Sequence, residues 1–227
     1  MTRSAPPHPQ GRLGPLLSEA GGVGIIMGAG LIVGVVAGLT LTGDGPVTGW
    51  TLHWGLPATR ATLDAAGVAA VGSGAIGLLL TDVPRAGDVL TTLRRSAVVI
   101  GTGWAAAALV LLWLQVVQAT GQQPRAVRAD RLGDYIAAVT AGRALLIAAS
   151  CGLTVALMAA VALRRPSSIP VGLPVVPAVL GVLALPISGH VMTGHGHGIA
   201  VHVVAVHVVA VSAWVGGFVV LATVLLP

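Results

Sequence analysis

Charge is nearly missing from this sequence. Asp, Glu, Lys and Arg make up 8% of its 227 residues, where a soluble domain carries about a quarter. Such a chain cannot cover a water-facing surface, which excludes a soluble globular protein. Lysine is absent, and all 12 basic residues are Arg. The net charge of +5 is therefore permanent at any reachable pH. Arginines grouped in loops control membrane topology, so the basic balance reflects a tiny charged set and not a nucleic-acid partner. Aromatic residues are scarce, at 3%. Cys151 is the single cysteine; it has no internal disulfide partner, says nothing of redox compartment, and reads as a small buried hydrophobe. No acidic residue lies between residue 137 and the end. That argues against a Ca, Mg or Mn site, which takes oxygen ligands, and against a carboxylate proton relay. There is no nucleophile–base pair, phosphate loop or acid pair, so the chain is not expected to be an enzyme.

What is present is apolar. Hydrophobic residues make 55% of the chain and glycine contributes 32 residues, with mean hydropathy +0.93. The apolar runs are continuous instead of alternating, which favours helices over barrel strands. The expected fold is all-α: a polytopic integral membrane bundle of about six transmembrane helices, embedded in a lipid bilayer. Residues 1–19 form a polar, Pro-rich leader expected to be disordered. Residues 20–227 form the transmembrane domain. Its first run, residues 20–41, is long enough to span and carries Gly30, Gly34 and Gly38 on one face, a small-residue ladder suited to close helix contact. A turn-rich loop over residues 42–57 holds Trp50, His53 and Trp54, an interfacial pattern. Further spans are expected near residues 58–80, 96–120, 135–163, 169–188 and 199–226. Charged loops should fill residues 82–95 and 121–134. Arg60 and Asp64 are four apart and share a helix face. Arg143 lies inside the fourth span, placed to snorkel or to pair with Asp64 or Asp134. Pro174 and Pro177 should kink or delay the fifth span, and Pro186 should distort its end. The chain stops at Pro227 without a polar tail, which reads as a fragment or an excised domain.

The chemistry gathers in residues 188–218, SGHVMTGHGHGIAVHVVAVHVVAVSAWVGGF. Five of the seven histidines lie there, namely His190, His195, His197, His202 and His207, together with Met192. From residue 199 onward there is no Asp, Glu, Lys or Arg. Ionisable groups inside a span are costly and mark function. Neutral imidazole suits Cu and Zn, and a thioether favours Cu(I). His195 and His197 flank a glycine, as in a flexible capture loop. His202 and His207 begin identical pentamers, HVVAV, and five helical residues leave them roughly 140° apart. They are not expected to bind one ion from one helix. His207 and Trp214, seven apart, share a stripe, and Gly216 and Gly217 leave room for a neighbouring backbone. Metal binding, haem ligation and a purely structural role all remain open from the residues alone.

The arrangement of Gly189-His190 at the end of one span and His207, Trp214, Val215, Gly216 and Gly217 on the next resembles the copper resistance protein D family. Residues 53–67 (HWGLPATRATLDAAG) and 133–146 (GDYIAAVTAGRALL) look like its actinobacterial members, in which this domain is often fused to a cytochrome c oxidase assembly domain of the CtaG type. The resemblance implies a bacterial plasma-membrane protein that moves copper or delivers it to a periplasmic chaperone for resistance or oxidase assembly. It maps His190 and His207 onto the family histidines and Trp214, Gly216 and Gly217 onto a packing motif. The family normally continues with further spans.

The arginines orient the chain. The leader, the second loop and the fourth loop carry Arg3, Arg12, Arg85, Arg94, Arg95, Arg164 and Arg165; the other side carries Arg60, Arg125, Arg128 and Arg131. This bias places the N-terminus in the cytoplasm and the histidines, His53 included, at the outer side. The expected site is copper held by His190 and His207, softened by Met192, with His195, His197, His202 and His53 as collectors or extras. A haem-binding electron-transfer protein and a non-catalytic assembly scaffold are the alternatives.

Overall fold

The structure is a computed structural model, and it describes residues 50–83, 86–188 and 197–222. The described residues form six α-helices: α1 (Trp50–Leu79), α2 (Gly87–Thr120), α3 (Ala129–Ala138), α4 (Thr140–Arg164), α5 (Val175–Ser188) and α6 (His197–Val220). No strand occurs among them. Four helices are long and apolar enough to cross a membrane, α1, α2, α4 and α6, and α5 is a shorter apolar helix. The all-helical membrane bundle expected from the sequence is present. The expected leader and the span at residues 20–41 lie outside the described residues.

Glycine and alanine set the spacing of the bundle. At the α2–α4 crossing, a Cβ on Gly101 would stand 2.6 Å from the Gly152 carbonyl oxygen, and a Cβ on Gly152 would stand 2.8 Å from that of Gly101. Only hydrogen fits there, so the two backbones touch. At the α1–α6 crossing, a Cβ on Gly216 would fall on the Val68 carbonyl oxygen, 3.1 Å from Gly72 Cα. Without a hydrophobic drive between lipid-embedded helices, such close van der Waals contact holds the bundle together. The room that Gly216 and Gly217 were expected to leave is filled by the backbone of α1. Around these crossings Trp104, Ile100, Leu63, Leu112 and Leu145 are fully buried.

Helices α1 and α6 run parallel. Arg60 and Val208 line one cavity, Gly216 meets Val68 and Gly72, and Val220 packs beside Ile76 and Leu80 at their ends, so the numbering rises together along the two helices. The starts of α1, α4 and α6 and the ends of α2 and α5 therefore share one end of the bundle, with α3 beside it. At the opposite end, Arg94 Nη2 donates to the Pro166 carbonyl at 3.4 Å. That bond brings the start of α2 to the end of α4. The arginine-rich loops assigned to one side from sequence accordingly meet at one end.

Several expected boundaries are corrected. Residues 50–57 are the first turns of α1 and not a loop. Pro57 is tolerated there, in the second turn, although a proline removes one backbone donor. The charged loop expected over residues 82–95 is short, because α2 already begins at Gly87 and carries Arg94 and Arg95. It ends at Gly121, whose φ of 63° is left-handed and whose N–H donates to the Val117 carbonyl, a turn that favours glycine. The loop expected over residues 121–134 contains a short 3-10 turn, Pro124–Ala126, followed by α3. The expected span over residues 135–163 is broken at Val139, which is extended (φ −113°, ψ 122°). Arg143 explains the break. Its Nε donates to the Ile136 carbonyl at 3.1 Å and its Nη2 to the Ala137 carbonyl. It caps the end of α3, where a cation also meets the negative helix terminus, instead of pairing with Asp64 or Asp134. The fifth helix starts only after Pro174, the delay expected of prolines, and Pro186 lies inside it.

Candidate metal site

The expected ligands fall in three groups. His190, Met192 and His195 lie outside the described residues. His53 and His197 lie in the first turns of α1 and α6, both at the α3 end of the bundle. His202 and His207 lie further along α6, and both are exposed. The buried stripe of α6 runs through Ser212, Gly216 and Val220; His207 lies on the opposite face, and His202 lies in line with the stripe, about five turns before Val220. Helical geometry puts His207 about 15 Å along the axis from His197.

Helix α6 is unusual in the bundle. Only 17% of its apolar window is buried, against 50–56% for the other long helices. Trp214 is 68% exposed and meets Phe218 edge-on, with ring centroids 5.5 Å apart at 87°. The stripe shared by His207 and Trp214 thus faces away from the bundle. Trp214 is largely exposed, and the close backbone contact with α1 is made at Gly216.

Among the described residues, no three His, Cys, Asp or Glu side chains come together in a way that could hold a metal.

Sequence reading missed a cavity just below the α3 end. It has a volume of about 210 Å³ between α1, α2, α5 and α6. Arg60, Asp64 and Ser212 are its polar lining and Trp104 is part of its wall. Arg60 Nε donates to both carboxylate oxygens of Asp64, at 3.2 and 3.0 Å. The pair forms as the four-residue spacing requires, and both side chains are about half exposed. The signal was available: charged residues within a span face a cavity or the bundle interior.

No curated protein and no solved structure matches the chain. A family model does, described as copper resistance protein D-like, N-terminal domain, over residues 51–201. That covers well over half of the chain, including His53 and the segment from His190 to His197, and it stops before His207 and Trp214. Long apolar helices and this domain together make the chain a multi-pass membrane protein associated with copper resistance or transport. On that match, the chain belongs to the copper resistance protein D-like family, through the family's N-terminal domain.

Proposed function

We propose that the chain binds copper at the α3 end of its bundle and passes the ion across or along the bacterial plasma membrane, without covalent chemistry. The observation that supports this most is the family match, which spans the His190–His197 segment. The topology adds to it, since the first turns of α1 and α6 bring His53 and His197 to one end. In this reading His195, His197 and His53 collect the ion. His190 and His207 hold it, and Met192 biases the site toward Cu(I), because thioethers are soft ligands. His207 is exposed, so its partner ligand comes from beyond the described helices, and His190 is the one that the resemblance supplies.

The arginine bias orients this end outward and the N-terminus toward the cytoplasm. An outward histidine end suits receipt of copper from, or delivery to, a periplasmic chaperone or an oxidase assembly domain. The test is copper content after titration of the detergent-purified chain, comparing wild type with His190→Ala/His207→Ala and with His195→Ala/His197→Ala. Stoichiometric copper lost in the first double variant supports the paired site. Copper lost only in the second moves the site to the collecting residues. No copper in folded wild type refutes the reading and leaves the chain as an assembly scaffold.

A further inference from the structure

The bundle holds a second cavity, at the opposite end from the first. It measures about 40 Å³ and is lined by Ala70, Ser73, Ala97, Val155 and Pro174, with Arg94 at its polar side. The two cavities follow one another along the same helices. On α1 the lining passes from Gly67 to Ala70, on α2 from Trp104 to Ala97, and on the α5 side from Gly181 back to Pro174, in the turn before the helix. Three residues of helix are about 4.5 Å and seven about 10 Å, so little material separates them. That material is apolar and closed: Ile100 and Ala178 are fully buried and Trp104 is 1% exposed.

Trp104 is the bulk of the barrier. Its indole edge is wedged between two glycines. A Cβ on Gly67 would stand 3.3 Å from Cε2 and Cζ2 of the ring, and a Cβ on Gly181 would stand 2.5 Å from Cη2. Both helices are therefore cut back to hydrogen at the level of the ring. Each cavity has its charged lining residues away from this point, Arg60 and Asp64 on one side and Arg94 on the other. Cavities with charged residues toward their outer ends, separated by a closed apolar constriction, have the layout by which membrane pores close through dewetting.

We propose that the two cavities are the mouths of one path through the bundle and that Trp104 is the residue that closes it. The proposal rests on the reading that this chain moves an ion across the membrane, and it places that movement between α1, α2 and α5. Trp104 acts as a plug; it is not assigned as a ligand.

The test is read without copper. In the full-length chain carrying Cys151→Ser, either Val208→Cys or Leu90→Cys is introduced, a half-buried lining residue for each cavity. 2-(Trimethylammonium)ethyl methanethiosulfonate, a permanently charged thiol reagent that does not cross lipid, is added to one side or the other of sealed membrane vesicles, and the labelling rate is followed. With Trp104 in place, each cysteine reacts from one side only, and the two sides are opposite. Trp104→Ala raises the rate from the wrong side by at least about tenfold. Trp104→Phe keeps an aromatic ring in the core should the alanine variant fail to fold, and raises that rate by a smaller factor. Labelling of both cysteines from the same side with Trp104 present overturns the proposal. So does a folded Trp104→Phe or Trp104→Ala variant with no gain from the wrong side. Loss of the copper reading, with sided labelling intact, refutes the cargo and not the path.

Discussion

Gly216→Ala is expected to loosen the bundle, while Gly217→Ala next to it is not. An added Cβ on Gly216 would fall on the Val68 carbonyl oxygen and stand 2.9 Å from its carbon. A carbon normally sits about 3.3–3.6 Å from a carbonyl oxygen. Relieving the clash needs α1 and α6 to separate by about 1 Å, because the opposing atoms are backbone and cannot rotate away. A gap of that size forfeits a quarter to a half of the attraction between facing atoms. Overpacking of this kind costs up to ~3 kcal/mol, offset by up to ~1 kcal/mol from the better helix propensity of alanine. The net loss is ~2 kcal/mol, or a fall of about 4–8 °C in Tm. On Gly217 the nearest atom to an added Cβ is Ile76 Cδ1 at 4.0 Å, ordinary contact. There the propensity gain acts alone and Tm stays level or rises slightly. The assay is thermal unfolding of the detergent-purified chain, read by size-exclusion after heating. Equal Tm values for the two variants would refute the claim that this crossing is held by backbone contact at Gly216.

Three further outcomes follow from named contacts. Gly101→Ala puts a Cβ 2.6 Å from the Gly152 carbonyl oxygen and 2.8 Å from Ala156 N; the same heating assay should show a loss of ~2 kcal/mol, and an unchanged Tm would contradict the α2–α4 contact. Arg143→Met removes both donors to the Ile136 and Ala137 carbonyls; hydrogen exchange over α3 should speed up by about tenfold, for a loss of ~1–2 kcal/mol at a helix end, with the spanning helices unaffected. Tyr135 donates to Gln115 Oε1 at 3.2 Å, and burial raises its pKa above the usual 10.0. A raised folded value means that the folded state holds the proton more tightly than the unfolded state. The stability it contributes is thus complete below about pH 10 and is lost as pH rises through the folded value. Tm measured from pH 8 to 11 should fall at the alkaline end, and the part of that fall due to this hydroxyl should vanish in Tyr135→Phe.

The class of fold was legible because an 8% charged chain has few ways to meet water. Among the described residues, the approximate positions of the long apolar helices were legible for the same reason; the span expected over residues 20–41 lies outside them. Their ends were not, since hydropathy reports burial in lipid and not the backbone. Residues 50–57 look like a loop because of Gly55, Pro57 and the tryptophans, yet the helix of α1 runs through them. The break at Val139 is invisible to hydropathy and depends on a cap that Arg143 supplies from the next helix. Glycine was the most informative residue type: Gly216 was expected to admit a neighbouring backbone, and Val68 and Gly72 are there. The cavity that Arg60 and Asp64 line was harder to see. Their spacing predicts a pair, but its placement between α1, α2, α5 and α6 depends on the glycines of distant segments. The histidines were legible as a cluster in sequence. What the fold adds is that His53 and His197 share an end, that His202 and His207 are both exposed, and that His207 lies on the face of α6 turned away from the bundle.

The central claim, copper held by imidazoles at one end of the bundle, is tested most directly by X-ray absorption at the copper edge on the copper-loaded chain. The account predicts the multiple-scattering pattern of coordinated imidazole in the wild type, with a sulfur shell that disappears in Met192→Leu. In His190→Ala/His207→Ala the imidazole pattern should drop by two ligands. Oxygen-only coordination in the wild type, or a spectrum unchanged in the double variant, would contradict it.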